Sequence, residues 1–548
     1  MLIATFANYL ILLALFGYSL IFKKLLLISR KNIIHNIDIF YGFLLIIFFS
    51  LFFNFFYPLK VFSEITILIG FLLFCYGYLK KIYKINFFVY FILVFLTTFI
   101  SFYNGSNIDS PMYHLQVLNW LSYSKVSFGL TNLEIRFGSN SSWHSFLGLM
   151  NIGINTFNTK FYLSLILFSI SIYEIIKKKK LIKSSDIFLF LCISFLIFFS
   201  FIHPFKNGVI LNHLGNPELD IVPMFLFFII IYVFLKLEEI NLKNQNLINL
   251  FIILIFFSVS ARLQVVPLVI LVFYIAFSKV NYSFFNLSNY LVALTSLMWV
   301  IKSYVLSACL LFPLKITCFE TKWSPGIDKI ENLYSVTTSY ARDTPLRAKY
   351  IDFEYTLNSY DWVFPWFKEY FLNNALLKIS SFISLFAILI IIITLLFKLN
   401  KIKHEISRKK LLLFFVLLVN LVLWFKAPEI RFGWGVIISI PCFLLLFIIL
   451  FYNFSNIFSQ KINNFSILIL LLLITSKSFH RFYPNHLVDT NWKNFDYSQI
   501  EKIGNFNGYK IFRSKNWECA DFMEICVNSP KEVYKIGKKY NYIFFLNN

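Results

Sequence analysis

The chain has 548 residues, of which 59% are hydrophobic, 20% aromatic and 14% charged, with a formal net charge of +23. Soluble domains carry roughly 25% charged residues, so this composition excludes an ordinary soluble enzyme and belongs to a polytopic membrane protein embedded in a lipid bilayer. The positive charge does not point to nucleic acid, because the lysines stand in short blocks between apolar runs, where basic residues mark the cytoplasmic ends of spans.

The first apolar run, Leu2 to Phe22, is long enough to cross a bilayer at about 1.5 Å per residue and lacks a clear small-residue cleavage site after it. It reads as a first transmembrane helix, not as a signal peptide. Further runs lie near 39–56, 61–79, 86–102, 161–176, 187–203, 219–236, 247–261, 263–277, 284–307, 376–397, 411–426, 430–451 and 464–476. The expectation is an all-α polytopic membrane protein with about fourteen spans (12–14), the pair flanking Arg262 being open to a reading as one kinked element. Placing the blocks Lys23-Lys24, Lys80-Lys81, Lys177 to Lys180, Lys236 to Lys243, Lys279 and Lys398 to Lys410 in the cytoplasm orients every span without conflict. Segments 103–160, 204–218, the turn at Arg262, 308–375, 426–431 and the tail 477–548 then all face outward.

The expected organisation is therefore transmembrane helices over 1–102, an outer loop with surface helices over 103–160, helices over 161–307, an outer loop over 308–375, helices over 376–476 and an outer tail over 477–548. Within the first outer loop, Tyr113 to Tyr123 and Trp143 to Ile154 suit helices lying along the membrane surface. The tail returns to soluble composition, with strand-like GYKIFRS and YNYIFFL, and is expected to form a small α+β cap.

The noteworthy polar residues fall in these outer segments. Asn104 to His144 gathers Asp109, Tyr113, His114, Glu134, Arg136 and His144 in a chain that is otherwise mostly apolar. Asp109 precedes Ser110-Pro111 and an apolar stretch, which fits a helix N-cap; a capping carboxylate can also direct one oxygen at a substrate. Glu218 and Asp220, in Asn216-Pro217-Glu218-Leu219-Asp220, fit either the acidic first turn of a helix or a second acidic site. Arg262 is an isolated cation between apolar runs, expensive unless it meets an anion, and a guanidinium matches phosphate oxygens bidentately. Arg431, with Glu429 as a local partner, and Arg136 carry the same two readings, structural ion pair or anion binder. His114 and His144 fit general acids or loop-to-loop hydrogen bonds. His203 and His213 show no metal-binding spacing, and no Walker loop, dinucleotide fingerprint or nucleophile elbow is present.

Cys75, Cys192 and Cys442 fall within apolar runs and read as core residues. Cys309 with Cys318, and Cys519 with Cys526, form two local pairs on the oxidising side and fit either disulfides or free thiols. Neither pair has zinc-ligand spacing.

A span followed by Asp109 and then Tyr113-His114 resembles the first outer loop of GT-C glycosyltransferases. The blocks DSPMYHLQVLNW at 109–120, RFGSNSSW at 136–143, SACLLFPL at 307–314 with Trp323, Ser324 and Pro325, and APEIRFGWG at 427–435 resemble multi-pass proteins of bacterial surface-polysaccharide clusters. The resemblance implies a GT-C-like fold in the bacterial cytoplasmic (inner) membrane, with its active site outside. It also implies a polyprenyl-phosphate-linked sugar donor and a glycan or lipid-linked acceptor. Asp109 would be the catalytic residue, and Tyr113, His114, Arg136, Glu218, Asp220, Arg262 and Arg431 would bind substrate. Many GT-C members pair two acids in this loop, whereas here Asp109 is followed by Ser110; no residue is assigned as a metal ligand, and a divalent cation is left open. An O-antigen polymerase or ligase, or a transporter or flippase, are the alternatives.

Overall fold

The structure is a computed structural model describing residues 1–26, 33–102, 109–154, 157–158, 163–178, 181, 183–202, 210–278, 282–347, 354–397, 407–452, 499–506, 509–515, 519, 525–527, 535–539 and 542–546. Its helices are α1 (Leu2–Leu26), α2 (Ile39–Phe56), α3 (Lys60–Leu79), α4 (Phe87–Phe102), α5 (Leu115–Tyr123), α6 (Ser142–Leu149), α7 (Ser164–Ile176) and α8 (Ser184–Ile202). They continue as α9 (Ile221–Glu239), α10 (Gln245–Ala261), α11 (Val269–Phe277), α12 (Leu287–Ser307), α13 (Ile327–Arg347), α14 (Ala375–Phe397), α15 (Arg408–Phe425) and α16 (Ile430–Phe451). Among the described residues, seven helices are long and apolar enough to cross a membrane, and five shorter apolar helices accompany them. The chain is thus a predominantly helical, membrane-embedded protein. The run expected at 464–476 lies outside the described residues, as does His203.

The bundle is organised around α9, whose residues from Ile221 to Leu235 are nearly all buried. Helices α7, α8, α10 and α16 pack around it. Its 19 residues give it a length of about 28 Å, close to the hydrocarbon thickness of a bilayer. Helices α1 and α3 form the closest crossing, because a Cβ added at Gly17 would stand 1.9 Å from the Gly70 carbonyl oxygen. Glycine lets two backbones approach in this way where apolar lipid gives no incentive for helices to associate.

One end of the bundle holds a set of lysine–carboxylate pairs. Lys23, at the end of α1, meets Asp38 at 2.6 Å ahead of α2. Glu174 in α7 accepts from Asn36 at 2.8 Å and from Tyr232 at 3.0 Å, and pairs with Lys177. Lys178 meets Asp186 of α8 at 2.8 Å, and Lys410 of α15 approaches Glu238 of α9 at 4.0 Å.

One expectation changes at the opposite end. Helices α5 and α6 do not lie along a surface: nearly every residue of α5, and all of α6, is buried among other elements. The polar face of α6 is satisfied by protein instead of water. Ser142 accepts from Ser260 at 2.8 Å, Ser145 accepts from Lys302 at 3.1 Å, and the Ser145 carbonyl accepts from Ser50. Strands β1 (Gly153–Ile154) and β2 (Phe157–Asn158) pair after α6, and the described residues of the tail supply β3 (Ile500–Phe506), β4 (Tyr509–Ser514) and β5 (Ile525–Val527) in one sheet and β6 (Lys535–Lys539) and β7 (Tyr542–Leu546) in another. Strand β7 docks on segment 126–132. The Phe128 amide donates to the Ile543 carbonyl and the Phe128 carbonyl accepts from the Phe545 amide, both at 2.9 Å. Gly129, at φ +67°, allows this approach, since a Cβ there would stand 2.3 Å from the Phe545 carbonyl oxygen.

Candidate functional site

Away from the lysines, the C-terminal ends of α4 and α10 and the N-terminal ends of α9 and α16 come together. After α4, residues Ser110–His114 form a π-turn closed by the Leu115 amide on the Ser110 carbonyl. Such one-turn widenings recur at functional sites because they re-aim successive side chains. Here Ser110 and His114 are buried while Asp109 keeps a 27% exposed side chain. Asp109 has helical backbone angles and makes no capping hydrogen bond, so the N-cap reading is corrected. Its carboxylate goes instead to Arg431, with Nη1 2.8 Å from Oδ2.

Arg431, in the first turn of α16, gathers three acids. Besides Asp109 it stands 3.4 Å from Glu429 and 3.7 Å from Asp220. Asp220, just ahead of α9, makes no capping bond either. It pairs with Arg262. The two runs flanking Arg262 are not one kinked helix. Helix α10 stops at Ala261, Arg262 is extended (φ −158°, ψ 127°), and a 3-10 turn over Leu263–Leu268 containing Pro267 leads into α11. The break leaves the guanidinium free to reach Asp220 and to stack over the Phe432 ring at 4.5 Å.

Glu218, fully buried, forms the floor. Its two oxygens face the Ser110 hydroxyl and the His213 ring, each at 2.8 Å. Burial by itself raises this carboxyl, but His213, His114 and Ser110 bring it down to about 2. His114 and His144 are each other's partners, Nδ1 to Nε2 at 3.2 Å. Burial pushes His114 down to about 4, against the pull of Glu218 and Asp109. Burial, then His114, lowers His144 as well. In both rings burial favours the uncharged form. Arg136 lies over the Tyr113 ring at 4.6 Å and bonds Glu134 at 2.7 Å. Tyr113 in turn packs against His114 with ring centroids 4.1 Å apart.

All eight residues singled out in the sequence, Asp109, Tyr113, His114, Arg136, Glu218, Asp220, Arg262 and Arg431, therefore meet directly or through one neighbour. The sequence reading missed His213, which lacks metal-ligand spacing and contributes through a five-residue separation from Glu218, and Phe432, an aromatic among many. Glu134, two residues before Arg136, carried a local signal as an acid–arginine pair. Both local cysteine pairs form disulfides, Cys309–Cys318 and Cys519–Cys526. None of these cysteines takes part in the charged cluster.

Ligand atoms of His213, Glu218 and Asp220 lie within 4.8 Å of one another, a spacing that one cation could bridge. The donor set argues against it. Glu218 is already held by Ser110 and His213, and Asp220 lies between two guanidinium groups that would repel a dication. The acids here are neutralised by the chain's own cations.

No curated protein and no solved structure matches the chain. A family model described as a domain of unknown function, DUF8201, matches residues 1–438. That range contains every member of the charged cluster and ends within α16, ahead of the β-stranded tail. With most of its length matched, the chain belongs to the DUF8201 family.

Proposed function

We propose that the protein is a GT-C-like glycosyltransferase of about fourteen spans in the bacterial cytoplasmic membrane. It transfers a sugar from a polyprenyl-phosphate carrier to a glycan or lipid-linked acceptor on the outer face. The observation that carries this reading is the meeting of Arg262 and Arg431 with Asp109, Glu218 and Asp220 at one end of the bundle, from four segments far apart in sequence. Two guanidinium groups side by side match a phosphate that must leave with its electron pair, and a partly exposed carboxylate beside them matches a base for an incoming hydroxyl.

In this reading the donor phosphate draws Arg431 away from Asp109. Asp109, released, takes the proton of the acceptor hydroxyl as the acceptor oxygen bonds to the sugar's anomeric carbon. The bond from that carbon to the phosphate oxygen breaks, and the electron pair departs on phosphate, where Arg262 and Arg431 stabilise it. Tyr113 and Arg136 form the adjoining wall. No step draws on a metal.

The test is transfer from a polyprenyl-phosphate sugar by the full chain in nanodiscs, comparing wild type with Asp109→Asn. The expected result is normal insertion with a loss of about 10²- to 10⁴-fold in transfer; full activity in the variant overturns the assignment. Addition of one sugar supports a transferase, and a product ladder from a single-repeat lipid-linked unit replaces it with a polymerase.

A further inference from the structure

A second cavity, walled largely by apolar side chains with a few polar ones among them, lies on the far side of the histidine pair. Its lining includes Asn54 from the end of α2, Trp120 of α5, Lys125, Asn140, His144 of α6 and Lys302 of α12, and among the described residues no aspartate or glutamate. Lys302 stands five residues before the end of α12 and is only 3% exposed. Among the described residues its ammonium has one partner, the Ser145 hydroxyl at 3.1 Å, and no ion pair. An ammonium offers three donors, so two are left for whatever occupies the cavity. Burying a cation without an anion is expensive, and at the opposite end Lys23, Lys177 and Lys178 each meet a carboxylate.

We propose that this cavity is a second binding site, which takes the carboxylate of a small organic acid or acidic sugar with Lys302 as its counter-ion. The cavity of about 30 Å³ has room for about two waters. That suits the two oxygens of one carboxylate better than the three or four of a phosphate. Lys125 adds a second positive charge to the lining, and Asn140 is fixed there by reciprocal bonds with Trp299 at 2.5 and 2.6 Å. The wall is also tied to the charged cluster. Ser141 donates to the Ala261 carbonyl, next to Arg262, at 3.0 Å, and His144 meets His114. The proposal does not depend on the transferase reading, because occupancy is measured without turnover.

The experiment uses the full chain in phosphatidylcholine nanodiscs and follows the line width of ¹³C-acetate at constant ionic strength. The expected result is saturable broadening in wild type, retained in Lys302→Arg and lost in Lys302→Met. Removing an unpaired buried cation does not strand a partner, so Lys302→Met should melt no lower than wild type, and its melting curve shows that it is folded. Saturable broadening that survives in Lys302→Met, or none in wild type, overturns the proposal, as does displacement of acetate by equimolar chloride. ¹³C-glucuronate binding tighter than acetate assigns an acidic sugar; equal affinity assigns a free small acid.

Discussion

The two ends of the bundle solve the same electrostatic problem with different cations. At one end lysines meet acids mostly one to one: Lys23 with Asp38, Lys177 with Glu174, Lys178 with Asp186. At the other, Arg431 alone approaches Asp109, Asp220 and Glu429, and Asp220 is shared with Arg262. Paired point charges are a stable end state. A shared guanidinium fork can exchange one oxyanion for another without leaving a charge bare, and this favours the arginine end as the place where a substrate enters.

That contrast can be broken most sharply at Arg431. Arg431→Gln takes the guanidinium from Asp109 and Glu429, leaving Asp220 to Arg262, and should cost about 3–5 kcal/mol of stability along with transfer. Arg431→Lys should keep most of the stability and still lose transfer, which thermal melting and the nanodisc assay separate. At the lysine end, Lys23→Met strands Asp38, which among the described residues keeps the His35 amide at 2.7 Å, and should cost about 3 kcal/mol. Its transfer rate per folded molecule should be unchanged; a lost rate would mean that the two ends are coupled.

A smaller effect separates the ends by pH. The folded value of His114, about 4, lies below its ordinary 6.5, so the unfolded chain binds the extra proton between those values. Stability should therefore fall as pH drops through that window, by about 2 kcal/mol from pH 6.5 to 5 for this one group. Glu218 acts later and in the same direction: its contribution is complete above 4.5 and is lost as pH falls toward about 2. His114→Phe should flatten the upper part of the melting profile and leave the lower part. Smallest of all, Glu134→Gln should cost less than about 1 kcal/mol, because the Arg136 pair is partly exposed. Its readout is a raised KM, from release of Arg136 off the Tyr113 ring.

The helices were legible because an apolar run is itself the physical cause of a span: the run read at 39–56 is the helix Ile39–Phe56, and the run at 430–451 is Ile430–Phe451. The positions of the cluster were legible for a related reason, since charges beside apolar runs are costly enough to need an explanation. Their partners were not. Asp109 finds Arg431 across 322 positions, and no local pattern encodes that pairing. For the same reason the cap reading of Asp109 fails: the Asp-Ser-Pro motif is local, and a distant guanidinium outcompetes a neighbouring amide. Burial of α6 was hidden because its serines read as polar whether they face water or Ser260 and Lys302.

The docking of β7 has a further consequence. Segment 126–132 holds main-chain groups of the tail, through the Phe128 pair and the Asn132 side-chain amide donating to the Phe545 carbonyl at 2.8 Å. The Phe545 ring, against Trp120 at 5.7 Å, is the chief side-chain anchor. A joint read through backbone tolerates turnover of the sequence it grips. The tail, which lies beyond the matched residues 1–438, can therefore drift or be exchanged between related chains while the membrane body stays fixed.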